Sequence, residues 1–519
     1  MALSVHRFSM EDRWDRHRMA ATDHAVAWTQ LFGALDRAGL ALHLQIRRAI
    51  VVAIERRVLT PEARLPSSRQ LASLLGVARN TVVAAYQQLI DEGFLVSQER
   101  SGIFLAPGAE APEESPTRPK TCLDWSGRLA IRPSRLPQIT KPRDWLDYPY
   151  PFVFGQFDPS LFPANDWRES VRAASSVAEI NGWAGDLIDE DDADLVEQLR
   201  LQVLPRRGIF AGVDEVMITI GSQQALSLLT RLLVGHDTPA GIEDPCYPDT
   251  RNMLGLATSD LAPLTIDRHG VVPDSAFASR DIAFVTVGHH CPTTAVMPLG
   301  RRQALLHAAR RHDVLLVEDD YEADLAVEGE IPSLKSLDAD GRVIYVGSFS
   351  KVLAPGLRIG YVVAPGEVIA ELRVLRRLML RHPPSNNQRA TAMFVALGHY
   401  RSHLRRTAAA LEERATCIGS LLPRLLPGCR WRRDPGATSF WIEGPQFLDA
   451  RDLTERARAR GVLIEPGDIF FADPRAGRAC FRLGFTSIRT DRIEAGLSIL
   501  SELVVPAGPS RPRVVAERV

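Results

Sequence analysis

The chain has 519 residues, 45% hydrophobic and 24% charged, too long for one compact core and ordinary in composition for a globular protein. Its formal net charge of -1 excludes a uniformly basic nucleic-acid coat, so nucleic-acid binding would have to come from a local patch. No apolar run approaches the roughly 20 residues of a membrane span, and Cys122, Cys246, Cys291, Cys417, Cys429 and Cys480 are scattered without a CxxC pair, which argues against a disulfide framework and a zinc site.

Residues 1–40 carry no clear fold signal and are read as an N-terminal extension. Their opening, MALSVHRFSMEDRWDRHR, lacks the apolar core of a secretory signal, and a cytoplasmic location is expected. From Leu42 the residues Leu44, Ile46, Ile50, Val51 and Ile54 recur at helical period. The unit at 41–106 then continues with a short helix that Ser67 or Ser68 can cap, carrying Leu71, Leu74 and Leu75 on its buried face. Gly76 permits a tight turn, and a second helix opens with Arg79, Asn80 and Thr81 and turns Val82, Val83, Tyr86 and Leu89 inward. Two short strands, Phe94-Leu95-Val96 and Ile103-Phe104-Leu105, flank a hairpin through Arg100 and Gly102.

That order predicts a winged helix-turn-helix with the second helix in the major groove. Ser67, Ser68 and Gly102 would shape the surface, Arg69, Arg79 and Arg100 would meet phosphates, and Asn80 and Thr81 would reach base edges. The unit holds eight arginines, no lysine and five acidic residues, a local charge of +3. A helical bundle with solvated arginines is the alternative that the pattern alone leaves open. LPSSRQLA, GVARNTV and EGFLVSQERSGIF resemble the GntR-type winged helix closely, which favours DNA binding.

Residues 107–150 are expected to link two domains, since PGAEAPEESPTRPK at 107–120 is rich in Pro and charge. Beyond it, VMITI (216–220), IAFVTV (282–287), VLLVED (314–319) and RVIYVG (342–347) alternate with amphipathic helices, predicting an α/β body over 151–505 with a mainly parallel sheet. The end, 506–519, is expected to be a disordered tail.

Chemistry-bearing residues stand at the ends of these strands. Gly221-Ser222-Gln223 opens a helix whose first N–H groups suit a phosphate; Tyr247 sits on a turn between prolines; Asp319 and Tyr321 follow VLLVED; Gly347-Ser348-Phe349-Ser350-Lys351 follows RVIYVG, with Arg358 beyond. Lys351 is one of only four lysines. Taken singly, the turn, the tyrosine and the acidic run are more often structural. In this order they meet the demands of pyridoxal 5'-phosphate: Lys351 for the Schiff base, Asp319 for the pyridine nitrogen, Tyr321 for the ring hydroxyl, Tyr247 against the ring face, and Ser222, Gln223, Ser348, Ser350 and Arg358 for the phosphate. Arg482 falls in a predicted strand and needs either an internal carboxylate or a ligand's acid group; the effector reading is preferred. The acidic run Asp189 to Asp192 is expected to be a solvated loop.

Over about residues 150–505 the sequence resembles the fold-type I aminotransferases. With the GntR-type unit, and through FVFGQFDPSLFPANDWR and RVIYVGSFSKVLAPGLRIGY, the whole chain resembles the MocR-type regulators. The resemblance implies a regulator in which a small amino compound displaces Lys351 from the cofactor and alters the hold on a double-stranded DNA operator, in a head-to-tail homodimer with at most slow transamination. Two alternatives remain: an active aminotransferase with an accessory DNA-binding module, and a body without cofactor that scaffolds a dimer. Where aminotransferases commonly have Asn-Pro-x-Gly, this chain has Cys291-Pro292-Thr293-Thr294, so the bond from that Asn to the ring hydroxyl is missing or replaced, with His289 or His290 as candidates. The HHCPT and YPYPF blocks resemble the taurine- and ectoine-type branch.

Overall fold

The computed structural model describes residues 35–37, 39–56, 58–59, 64–98, 101–108, 123, 125–322, 332–349 and 351–504. They fall into two compact units divided between Ala130 and Ile131.

In the first unit, α1 (Leu42–Glu55), α2 (Ser68–Leu75) and α3 (Arg79–Asp91) close over one apolar core, and β1 (Arg64–Leu65), β2 (Leu95–Gln98) and β3 (Gly102–Leu105) form a small antiparallel sheet in the order β1-β3-β2. Ser67 caps α2: its hydroxyl accepts from the Gln70 N–H while the Gln70 side chain accepts from the Ser67 N–H, a reciprocal capping box. Gly76 ends α2 at φ 62°, a left-handed conformation that costs glycine little. Val82, Ala85, Tyr86 and Leu89 make the buried face of α3. Val83 and Leu74, expected inward, are 43% and 49% exposed because each lies beside its helix's buried stripe. Arg47 of α1 grips Glu92, just past α3, at 2.7 Å.

The second unit is built on a seven-stranded sheet of β4 (Val216–Thr219), β5 (Ala240–Glu243), β6 (Leu261–Leu264), β7 (Ile282–Val285), β8 (Leu315–Asp319), β9 (Val343–Ser348) and β10 (Gly360–Val363), ordered β4-β10-β9-β8-β7-β5-β6. Only β10 runs antiparallel to its neighbours. The parallel strands read as unbroken apolar runs because both faces are covered: Met217, Ile242, Val317 and Val346 pack on one side, Ala283, Val285, Leu316 and Val343 on the other. A four-stranded antiparallel sheet follows, β11 (Arg430–Arg432), β12 (Ser439–Glu443), β13 (Glu465–Pro466) and β14 (Cys480–Gly484), ordered β11-β12-β14-β13. Residues 131–150, at the end of the expected linker, belong to this unit; the Asn252 amide donates to the Pro137 carbonyl at 2.8 Å.

The Asp189–Asp192 run is solvated only in part: Glu190 is exposed and Asp189 half-buried, but the side chains of the last two acids are withdrawn from water. Asp191 is buried, 2.5 Å from the fully buried Arg376, and accepts from the Ile218 N–H; Asp192 caps the following helix and meets Arg389 at 2.8 Å. These acids bury because cations from the 366–396 helices reach them. Among the described residues no helix is long and apolar enough to cross a membrane, and no group of His, Cys, Asp and Glu could hold a metal ion.

Candidate functional site

On the first unit, α3 presents its N-terminal end outward. Arg69, Arg79 and Asn80 are exposed, and Ser68 and Thr81 are half-buried. The Arg79 guanidinium donates to the Ser68 hydroxyl at 3.4 Å, which ties the start of α3 to the start of α2. Gly102 opens β3 at φ 123°, a conformation that disfavours any side chain, and a Cβ there would also crowd Arg64 Nε at 2.7 Å. Arg64 is exposed and adds a cation to this face that the sequence reading did not single out. Arg100 lies outside the described residues.

In the second unit a cavity of about 280 Å³ opens at the carboxyl edge of the sheet. Ser222, Gln223, Tyr247, Asp319, Tyr321, Ser348, Lys351, Arg358 and Arg482 all line it. Ser350 lies outside the described residues. Helix α4 (Gly221–Leu233) delivers Ser222 and Gln223 at its N-terminal end, against β10. The approach is close: a Cβ on Gly360 would lie 2.5 Å from the Gly221 carbonyl carbon and 2.7 Å from Ser222 N. Arg358, in the left-handed region at φ 52°, donates to the Ile220 carbonyl at 3.0 Å and so flanks the first turn of α4. Backbone donors, hydroxyls and a guanidinium thus converge on one end of the cavity, a dianion's requirement.

Asp319 ends β8, the middle strand of the sheet. Its neighbours in sequence are already engaged: Glu318 accepts from the Leu334 and Lys335 N–H groups, and Asp320 meets Arg207 at 2.6 Å. Of these three acids Asp319 alone lines the cavity, and its Oδ1 is buried without a hydrogen-bond partner among the described residues. Burial, and then the charge of Asp320, push its pKa up to about 7, against the opposing pull of Lys351. A buried carboxylate oxygen in that state calls for a cationic N–H donor. Lys351, just beyond β9, is pushed down to about 8, by desolvation first and then by Lys141 and Arg482. Its Nζ sits 4.6 Å from the Phe154 ring centroid.

Tyr247 and Gln223 are steadied by an acid that the sequence reading passed over: Asp249, in the first turn of α5 (Pro248–Ala257), accepts from the Tyr247 hydroxyl at 3.0 Å and the Gln223 amide at 2.8 Å. Tyr321 meets Phe154 edge to face at 6.0 Å. The two histidines offered in place of the missing asparagine point elsewhere. His289 Nε2 is 2.8 Å from the Pro435 carbonyl and His290 Nδ1 2.7 Å from the Thr293 hydroxyl, while Cys291 lines the cavity, with burial pushing its thiol up to about 12. Neutral at physiological pH, that thiol is a weak donor where an amide commonly stands.

At the other end of the cavity Arg482, on β14, is 1% exposed and finds an internal carboxylate: Glu465 of β13 accepts from its Nε at 2.7 Å. Its guanidinium carbon stacks between Phe154 at 4.0 Å and Phe470 at 4.7 Å. Lys141 lies 3.3 Å from the same Glu465 and donates to the Phe154 carbonyl. Neither Lys141 nor Glu465 belonged to any sequence motif.

A family model described as aminotransferase class I and II matches residues 199–497, and one described as bacterial regulatory proteins, gntR family, matches residues 42–105. The chain is 41% identical to the HTH-type transcriptional regulator TauR of Rhodobacter capsulatus, over 88% of this chain and 95% of that one. It is 28% identical to a probable rhizopine catabolism regulatory protein, MocR, of Rhizobium meliloti, over 90% and 94%. Among solved structures, the α-aminoadipate aminotransferase LysN of Thermus thermophilus superposes with a TM-score of 0.66 at 27% identity, covering 74% of this chain and 98% of that one.

Proposed function

The chain belongs to the MocR-type regulators, GntR-type DNA-binding proteins with an aminotransferase class I and II body, and from that premise we propose that it senses a small amino compound through pyridoxal 5'-phosphate held at Lys351. The match to the aminotransferase class I and II family supports dependence on this cofactor. The observation that supports its placement is the unpartnered Asp319 Oδ1 in the cavity that Lys351 lines.

The residues present fit the group. Asp319 would take the pyridine N–H, Tyr321 the ring hydroxyl and Tyr247 the ring face; Ser222, Gln223, Ser348, Ser350 and Arg358 would hold the phosphate. The cofactor supplies an aldehyde that exchanges between amines and an electron-withdrawing ring. Asp319, ionised against a ring N–H, keeps that nitrogen protonated. Lys351, with its lowered pKa, presents a substantial fraction of neutral amine near pH 8 and is a competent attacking group that an incoming amine can replace. Arg482 would orient the effector through an acid group. Effectors of the taurine- or ectoine-catabolite class, and genes for their uptake or breakdown, fit this arrangement.

Arg69, Arg79, Arg64 and Arg100 would neutralise operator phosphates, while Asn80 and Thr81 read base edges from α3. By linkage, effector and operator bias each other's affinity by the same factor. A head-to-tail dimer, with two winged helices on one operator, completes the proposal.

The deciding experiment is a visible absorbance spectrum of the purified protein, titrated with amines, beside the Lys351→Ala variant. The wild type should carry a band near roughly 420 nm that a cognate amine shifts without releasing an oxo acid. Lys351→Ala should lack the band and the amine response and still bind operator. A band retained in Lys351→Ala would overturn the assignment of that lysine, and steady oxo-acid turnover would make the protein an enzyme.

A further inference from the structure

We infer that Lys141 and Arg482 form a two-cation receptor for the effector's acid group, with Glu465 as the counter-anion that this group displaces. The inference rests on the amine-sensing reading above and narrows its ligand to an amine joined by a short spacer to a sulfonate or carboxylate.

The charge balance comes first. Glu465 is 2% exposed, and one carboxylate serves two cations: its Oε2 lies 2.7 Å from both Nε and Nη2 of Arg482, and its Oε1 is 3.3 Å from Lys141 Nζ. Burial would raise the Glu465 pKa; Arg482 and Lys141 outweigh it and hold the group below the usual carboxylate range. Two positive charges against one negative leave an excess of +1, an arrangement that favours a further anion. Arg482 also has coordination to spare. Among the described residues its Nη1 finds only the Cys291 sulfur, at 3.9 Å, a weak acceptor.

Geometry supplies the route. Lys141 and Arg482 line the same cavity as Lys351, and Glu465 does not; Glu465 lines an adjoining cavity of about 210 Å³ together with Arg451, on the far side of residues 137–140. The counter-anion therefore approaches from behind. An acid entering from the cofactor side can take Arg482 and Lys141 while Glu465 turns toward Arg451, which is already paired with Asp468 and would be shared between the two carboxylates. The spacer is bounded by Gly155, where φ is 69° and a Cβ would collide with Lys351 Nζ and lie 3.8 Å from Lys141 Nζ. The two lysine amines converge on one glycine, so an effector whose amine replaces Lys351 reaches Lys141 across a few atoms.

Calorimetry and visible spectra of the cofactor-loaded full chain, with taurine, β-alanine and propylamine as probes, test the idea. The wild type should bind the better acid-bearing amine at least about tenfold more tightly than propylamine. Lys141→Gln should weaken the acids by about tenfold and leave propylamine unchanged, and Lys141→Arg should restore them. Glu465→Gln, checked for its melting temperature and retained band, should tighten the acids severalfold and not propylamine. Lys141→Gln affecting all probes equally, or none, overturns the receptor. Equal wild-type binding of taurine, β-alanine and propylamine overturns it too and leaves amine sensing intact, whereas no spectral response to any amine overturns both.

Discussion

The two ends of the cavity are built differently. The proposed phosphate end is set by local backbone: the first turn of α4, Gly360 pressed against it, and Arg358 held by the Ile220 carbonyl. The acid end is made of side chains brought from three separate segments, Lys141, Glu465 and Arg482, held by charge and by the rings of Phe154 and Phe470. A backbone cradle offers every ligand the same dianion site. An ion-paired cluster can exchange partners. On the proposed reading the cofactor end is suited to holding its ligand permanently and the acid end to discrimination.

The largest effect should come from breaking the backbone cradle. Gly360→Ala drives a methyl into Gly221 and Ser222, an overpacking cost of up to about 3 kcal/mol, and cofactor affinity should fall by up to about a hundredfold in fluorescence titration. An unchanged affinity would mean that α4 yields easily and that the contrast between the ends is false. Asp319→Asn, which keeps the shape and removes the charge, should cost about tenfold in cofactor retention and move the absorbance band.

The pH dependence sharpens the point about Lys351. Its pKa is lowered from 10.5 to about 8, so the folded protein holds the neutral amine from about pH 8 upward, where an unperturbed lysine would still be charged. Reconstitution of cofactor-free protein should therefore accelerate with rising pH with a midpoint near 8. A midpoint near 10.5 would show that the amine is not desolvated. The smallest effect belongs to the other unit: Arg79→Ala should weaken operator binding severalfold and reduce the salt dependence by about one released counterion, with the absorbance band unmoved.

The same contrast explains what could be read in the sequence. Lys351, Ser348 and Arg358 stand in one block after a strand, and Ser222 and Gln223 in another, because this end of the cavity is assembled from local turns. Glu465 lies on a two-residue strand that the sheet register sets beside Arg482, and Lys141 reaches it from a Pro-containing stretch more than 300 residues earlier in the chain. Asp191 gave no sign of burial for the same reason, since its partner Arg376 is 185 residues away. In the winged helix, capping by Ser67 and the left-handed Gly76 were visible because they are local rules. Val83 and Leu74 were misplaced because an apolar residue one step off a helix's buried stripe looks the same in sequence as one on it.

The chain's preference for arginine has a consequence for covalent labelling. Of 62 basic residues only Lys120, Lys141, Lys335 and Lys351 carry a side-chain primary amine, and guanidinium groups do not condense with aldehydes under mild conditions. Lys335 is partly sequestered, with desolvation pulling its pKa down. Hydride reduction of the loaded protein should therefore tag very few peptides, and the balance between the peptides of Lys351 and Lys141 would report which amine the aldehyde meets.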